Sequence, residues 1–336
     1  MKTFQNISLA LYNTFGLHAN AKTLVELSDV EELKDLIKSG LSKSNYYILG
    51  GGSNILFTGN FDGTIIHPVF KGIEIIEEIN NTVLIKVKAG EIWDDFVKFC
   101  VEHNFGGIEN LSLIPGHCGA APVQNIGAFG VEIKDTLIEV EIINLENGET
   151  LSLSNSDCDF GYRTSVFKNK MKHSWMILSA TYKLTTNNHL FSTHYGNISD
   201  ELKNFSEVNL STIRQSVIDI RTKKLPDPKV LGNAGSFFKN PVVKIEKAEE
   251  IKKSYPEIPL YPVSETETKI AAGWLIDKCG WKGKSINQAG VHEKQALVIV
   301  NLGNAKSEDI INLSEEIKKS VFEKFGVKLE TEVNFL

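Results

Sequence analysis

Three stretches of the chain carry residue types that suit chemistry better than they suit a packed element. The first is Gly50-Gly51-Gly52-Ser53-Asn54, directly after an apolar run at 46–49. Glycines lack a Cβ, so their backbone N–H groups can close on a phosphate. Ile55 stands where the dinucleotide fingerprint needs a third glycine, and the lysine of a P-loop is missing. A plain tight turn explains these residues about as well. The second covers 114–130: Ile114-Pro115-Gly116-His117-Cys118-Gly119-Ala120-Ala121-Pro122-Val123-Gln124-Asn125-Ile126-Gly127-Ala128-Phe129-Gly130. A segment this lean buries little apolar area, and a long loop without function is uncommon. It suits wrapping a flat, polyphosphate-bearing ligand by backbone contact. His117 and Cys118 adjoin there, but a metal needs more ligands at suitable spacing. The third is Asn233-Ala234-Gly235-Ser236-Phe237-Phe238-Lys239-Asn240-Pro241. Ser236 is either a turn residue or a hydroxyl held against an apolar wall to pass one proton. No histidine lies nearby in sequence and no G-x-S-x-G elbow exists, which disfavours a hydrolase nucleophile.

Mixed helix and strand must position these stretches. Asp29 caps an expected helix through 38, with Val30, Leu33 and Ile37 on one face and Gly40 past its end. A strand at 83–89 leads through Gly90 into a helix at 93–103. Runs at 140–145 and 150–153 flank Asn147-Gly148, a type I′ hairpin signal, and 175–184 reads as another strand. The polar stretch 187–206 has few apolar anchors and predicts loops. A helix at 209–221 must stop at Leu225-Pro226-Asp227-Pro228, which marks a domain boundary. Helices follow near 271–279 and at 307–325, the latter capped by Ser307 and stopped by Gly326, and the tail at 327–335 alternates like a strand. The class is α+β or α/β.

Composition narrows the function. The chain has 336 residues, 42% hydrophobic and 23% charged, which suits two or three domains with real cores. Acids outnumber bases 42 to 36, a formal charge of -6, so no general affinity for nucleic acid is expected. No apolar run is long enough to span a membrane, and the first residues lack a signal peptide's unbroken apolar core. Cys100, Cys118, Cys158 and Cys279 form no C-x-x-C pair and read as idle thiols of a reducing cytoplasm.

Asn13-Thr14-Phe15-Gly16, the 50–54 loop, 114–130, Phe160-Gly161-Tyr162-Arg163, 224–229, 233–241, 271–277 and 329–333 occur in one order over essentially the whole chain. In that order they resemble the UDP-N-acetylenolpyruvoylglucosamine reductase (MurB) family. The resemblance implies an α+β fold: an FAD-binding PCMH-type two-domain module with a third α/β substrate-binding domain. Residues 1–68 would form the first part of the FAD module, with a C-terminal strand at 326–336 returning to it. Residues 69–225 would form the second part and 226–325 the substrate domain.

It further implies a cytoplasmic, NADPH-dependent flavoenzyme that reduces the enolpyruvyl group of a UDP-sugar through bound FAD. No nucleic acid, membrane or obligate protein partner is implied, and no metal. Gly50, Gly51, Gly52, Ser53, Asn54, Ile114, Pro115, Gly116, Gly119, Ala120, Gln124, Asn125 and Gly127 would hold the FAD. Ser236 would give a proton to the substrate carbanion, Arg163 would pair with its carboxylate, and Glu332 would polarise the same group. By residue type alone Arg163 and Glu332 would read as an ordinary ion pair. His194-Tyr195-Gly196 marks the family's longer form, in which Tyr195 would close over the UDP diphosphate with Lys224 and Asn240. Tyr261 and Gln295 would line the substrate site. Phe129 departs from the tyrosine the family often has there. The competing readings are another FAD-dependent oxidoreductase of the same fold and a non-catalytic nucleotide-sugar-binding flavoprotein.

Overall fold

The computed structural model describes residues 1–41 and 45–336, and its first helix shows how a side-chain cap and a turn glycine set element ends. The Asp29 carboxylate accepts the Glu32 N–H at 2.8 Å and starts helix Val30–Lys38, whose Leu33 and Ile37 are buried. Gly40, at φ +98°, lets the chain turn away at the other end.

The chain divides into two compact units. The first comprises Met1–Ile7, Ala21–Gly51 and Phe61–Lys223. In it, strands Asn20–Leu27, Phe61–Pro68 and Tyr46–Ile48 run parallel, with Lys2–Ser8 at the edge of the same sheet. A second, antiparallel sheet has the order Thr150–Ser154, Leu137–Asn144, Trp175–Thr185, Thr82–Lys88, Ile73–Ile79. Helix Trp93–Glu102 covers it, and Trp93, Phe96 and Tyr182 meet with ring centroids 5.4–5.9 Å apart, all fully buried. Such edge-to-face and tilted contacts add to the area buried.

Two expectations fail in this unit. Asn147-Gly148 forms no two-residue type I′ turn, because only Gly148 takes positive φ. The strands instead join through a longer loop, in which the Asn144 carboxamide oxygen accepts the N–H groups of Glu146 and Asn147. The 187–206 stretch contains a short helix, Ile198–Leu202, whose two apolar ends are buried against Ile213, Val217 and Ile220 of helix Leu210–Lys224. Two well-placed anchors suffice there where the local composition reads as loop.

The second unit comprises Ser8–Asn20, Gly52–Asn60 and Lys224–Leu336. Strands Asn233–Ser236, Val298–Asn301, Ala289–Val291 and Ser285–Ile286 form one antiparallel sheet, and Val242–Lys244, Glu267–Ile270 and Leu260–Pro262 another. Helix Ser307–Phe325 buries Ile310, Leu313, Ile317, Val321 and Phe325, a stripe of helical period, and ends at Gly326 with φ +66°. Its cap is not Ser307. The N-cap position is Lys306, whose N–H goes to the Asp309 carboxylate at 2.9 Å, while the Ser307 hydroxyl donates to the Phe57 carbonyl.

The tail also departs from expectation. Only Asn334–Phe335 is strand, paired in parallel with Ile55–Leu56; before it, Thr331 makes a single bridge to Phe238. All four cysteines are free thiols, and burial pushes the Cys158 thiol up to about 12.

Replacing Asp29 with alanine removes one cap from an exposed helix start. The expected loss is about 1 kcal/mol in urea unfolding at pH 7. An unchanged midpoint would show that the cap carries no stability.

Candidate functional site

In the first unit the strand Tyr46–Ile48 delivers Gly50 and Gly51 directly against the 116–120 turn. A Cβ on Gly51 would stand 3.0 Å from the Gly116 Cα, and one on Gly50 would stand 3.5 Å from the Ala120 Cβ. Backbone meets backbone there, and any side chain at Gly51 forces a shift. The 116–120 turn is itself fixed from below. Trp93 N–H donates to the Gly116 carbonyl, and Cys118 and Gly119 N–H groups donate to the Glu91 and Ala89 carbonyls, all at 2.8–3.0 Å. Gly119 has no room for a Cβ, which would lie 2.5 Å from that of Ala89.

His117 stands beside this contact. Its Cδ2 lies 3.4 Å from where a Gly51 Cβ would be, and its Nδ1 is buried with no hydrogen-bond partner. The His67 ring lies 5.6 Å away and takes its own Nδ1 contact with the Leu49 carbonyl at 2.8 Å. Burial, then the charges of His67 and Lys71, holds the His117 imidazole down to about 4. His117 is therefore neutral at physiological pH.

The other end of the segment is pinned by amides and an arginine. Asn125, fully buried at φ +45°, donates to the Glu132 carboxylate at 2.9 Å and to the Gly161 carbonyl at 3.1 Å, and accepts the Lys134 N–H. Arg163 is itself in the left-handed region at φ +55°. Its guanidinium reaches the Gly127 carbonyl at 2.6 Å and the Asn125 carbonyl at 3.4 Å. Ser165 ties the following turn to the Val123 carbonyl at 2.7 Å. Gly50, Gly51, Gly116, Gly119, Ala120, Asn125, Gly127 and Arg163 thus form one connected constellation, to which Ile114, Pro115 and Gln124 belong by chain continuity.

Sequence reasoning missed the anchor at its start. Asp94, in the first turn of helix Trp93–Glu102, accepts the Leu113 N–H and holds Arg214 of helix Leu210–Lys224 by two contacts of 2.7 and 2.9 Å. Burial pushes the Asp94 carboxyl up, but these hydrogen bonds and the guanidinium charges of Arg214 and Arg221 outweigh it and leave it below the usual range. Sequence separation of 120 residues hides that pair. Tyr195 lies in the same unit, half exposed, with its Cβ 3.2 Å from where a Gly130 Cβ would be.

The second unit holds the remaining candidates. Asn233 accepts the Gly235 N–H through its own side chain, and Gly235 sits at φ +69° in open space. The register against Val298–Asn301 slips between Asn233 and Ser236, a bulge that turns the Ser236 side chain outward onto the surface. Phe237 and Phe238, just beyond, are fully buried and hold the strand down. Glu332 lies on the neighbouring segment: its N–H donates to the Phe237 carbonyl at 2.8 Å, and its carbonyl accepts the Asn54 side chain at 3.3 Å. Asn54 in turn accepts both the backbone and side-chain N–H groups of Asn334. Ser236, Glu332 and Asn54 are therefore joined by short backbone links.

Gly52, at φ +61°, presses on the Tyr12 carbonyl, where a Cβ would clash, and its own carbonyl accepts the Thr14 N–H. Ser53 follows it. Asn240 accepts the Ala272 N–H at 2.9 Å, so it caps helix Ala272–Lys278 from outside, which leaves its amide N–H groups to donate elsewhere. Gln295 lies over Gly273 of the same helix, 3.2 Å from where its Cβ would be. Tyr261 is half-buried in Leu260–Pro262, and Lys224 is exposed at the end of its helix.

Known proteins match this chain throughout. The family profile described as FAD binding domain matches residues 21–154, and that described as UDP-N-acetylenolpyruvoylglucosamine reductase, C-terminal domain, matches 227–336. The chain is similar to the UDP-N-acetylenolpyruvoylglucosamine reductase of Flavobacterium johnsoniae at 51% identity, with 100% of both chains covered. It is 46% identical to that of Bacteroides fragilis, over 99% of each chain. Its fold is similar to the solved MurB of Thermus caldophilus, with a TM-score of 0.69 at 22% identity over 99% of this chain and 98% of that one. p-Cresol methylhydroxylase shares the fold more distantly, with a TM-score of 0.51 at 13% identity over 96% and 84%.

The neutral, buried His117 makes stability pH-dependent in a defined window. With its folded value near 4 against an ordinary 6.5, the unfolded chain binds the extra proton between those values, so stability is full above pH 6.5 and falls as the pH drops toward 4. Urea unfolding at pH 7 and pH 4.5 is expected to show a smaller drop for His117→Asn than for the native chain. Equal drops would place the acid sensitivity elsewhere.

Proposed function

Because the chain belongs to the UDP-N-acetylenolpyruvoylglucosamine reductase family, we propose that it reduces the enolpyruvyl group of UDP-N-acetylglucosamine enolpyruvate to give UDP-N-acetylmuramate, a step in peptidoglycan synthesis. It does so as an FAD-containing, NADPH-dependent oxidoreductase of the cytoplasm. The observation that carries this reading is the 51% identity to a reductase of that name over the full length of both chains. The residues present fit FAD: Gly50 and Gly51 carry no side chains of their own, Gly51 lies against the Gly116 backbone, and the buried Nδ1 of His117 beside them offers an unused polar contact. We assign residues 1–68, with 326–336, and 69–225 to the flavin module, and 226–325 to the substrate domain.

When bound, FAD reduced by NADPH would supply a hydride for the terminal carbon of the substrate's double bond. The electron pair of that double bond then moves onto the adjacent carbon and into its carboxylate. Arg163, already aligned on the Gly127 carbonyl, presents a planar guanidinium suited to two carboxylate oxygens. Glu332 polarises the same group, which stabilises charge present mainly in the transition state. Ser236, turned outward by the bulge, gives its proton to the carbon, and solvent water reprotonates the alkoxide left behind. A hydroxyl is a weak acid, but an enolate-like carbanion is a strong base, so the transfer is downhill. Hydride plus proton saturate the bond. Tyr195 closes over the UDP diphosphate with Lys224 and the amide N–H groups of Asn240, while Tyr261 and Gln295 line the sugar side.

The test is anaerobic. Purified protein is expected to be yellow, to bleach with NADPH, and to recover its colour when the enolpyruvyl UDP-sugar is added; a colourless, flavin-free protein would refute the reading. Ser236→Ala is expected to keep NADPH bleaching within about twofold while slowing recovery by at least ~100-fold, because only recovery consumes the proton. Equal loss in both half-reactions would remove Ser236 from this role. Glu332→Gln is expected to lower the recovery rate with little change in UDP-sugar dissociation constant. A weaker complex at unchanged rate would contradict it.

A further inference from the structure

Asn110 is a buried polar side chain outside every motif that pointed to chemistry. It is 1% exposed, within the short turn Glu109–Leu111 that precedes the lean segment. Its side-chain nitrogen donates to two carbonyls from distant parts of the chain: Phe129 at 3.0 Å and Ser192 at 2.7 Å. Both N–H groups of the amide are thus spent on holding two loops together, and its oxygen is left buried without a partner. An amide held so is costly unless the joint matters.

The joint is built on both sides. Phe129 sits at φ +49°, a conformation side-chain-bearing residues seldom adopt, one residue before the end of the 114–130 segment. Its ring packs in the cluster of Ile198, Leu202, Ile213, Val217 and Ile220 and lies 3.4 Å from where a Cβ on Gly196 would be. Gly130 in turn has the Ser192 hydroxyl and the Tyr195 Cβ each 3.2 Å from its own Cβ position. Tyr195 therefore lies against Gly130, and Asn110 ties the Phe129 carbonyl, just before Gly130, to the Ser192 carbonyl, three residues before Tyr195.

We infer that Asn110 is a positioning residue for substrate binding: it clamps the Tyr195 loop onto the end of the flavin-binding segment, so that Tyr195 meets the UDP diphosphate in a fixed pose. This rests on the closing role proposed for Tyr195. The phenyl ring at 129 serves the clamp by packing.

The experiment is a double-mutant cycle on the holoenzyme with Asn110→Leu and Tyr195→Ala. Asn110→Leu is expected to raise the KM for the enolpyruvyl UDP-sugar about tenfold, the scale of two lost hydrogen bonds. NADPH reduction of the flavin should stay within about twofold. In the Tyr195→Ala background the same change should add less than about twofold, because the clamp then holds nothing. Asn110→Ser, which opens less misfit in the turn, should give the same pattern at smaller size. Independent, multiplying losses in the double variant, or equal losses in both half-reactions, would overturn the clamp while leaving the function of the chain intact. If Tyr195→Ala alone left KM unchanged, the closing role of Tyr195 would fail, and the clamp with it.

Discussion

The absence of a Cβ at Gly51 is the constraint on which the candidate site depends. With the Gly116 backbone 3.0 Å from a Gly51 Cβ position, the two segments can touch only if no side chain intervenes. That approach needs support, because glycine-rich chain loses much entropy when ordered. The support comes from neighbours that are not glycine: three backbone donors hold the 116–120 turn, Asn125 and Arg163 hold the far end, and Asp94 holds Leu113 at the near end. A flexible composition thus becomes a rigid surface.

The Asp94–Arg214 pair shows how that rigidity reaches outward. Both groups are largely out of water, so breaking the pair by removing one partner strands a buried charge. The same carboxylate that fixes Leu113 also docks helix Leu210–Lys224, on which Arg221 and Lys224 follow. In the second unit the equivalent economy is the bulge at Ala234–Gly235. One extra residue re-aims Ser236 while the paired phenylalanines beyond it stay in the core.

Much of this was legible from residue types. Asp29, Gly326, the proline pair at Pro226 and Pro228, and the helical stripe from Ile310 to Phe325 act locally, and the structure places elements where they indicate. The family order of motifs identified the family, because eight weak patterns in register exclude chance better than any one of them. What stayed hidden was decided by competing side-chain contacts, most of them distant in sequence. Asn147-Gly148 lost its turn to the side chain of Asn144, Ser307 was drawn to the Phe57 carbonyl instead of capping, and the helix at Ile198–Leu202 owes its existence to a hydrophobic patch on another helix. Asp94 and Asn110 look like ordinary surface polars in sequence; only their partners 120 and 82 residues away reveal them.

The most direct measurement of the central claim is the FAD dissociation constant of Gly51→Val, with circular dichroism to confirm the fold. If a side-chain-free wall is what receives the flavin, the variant folds but loses FAD affinity by a large factor, about a hundredfold or more. A folded Gly51→Val protein that binds FAD as tightly as the native chain would contradict the account.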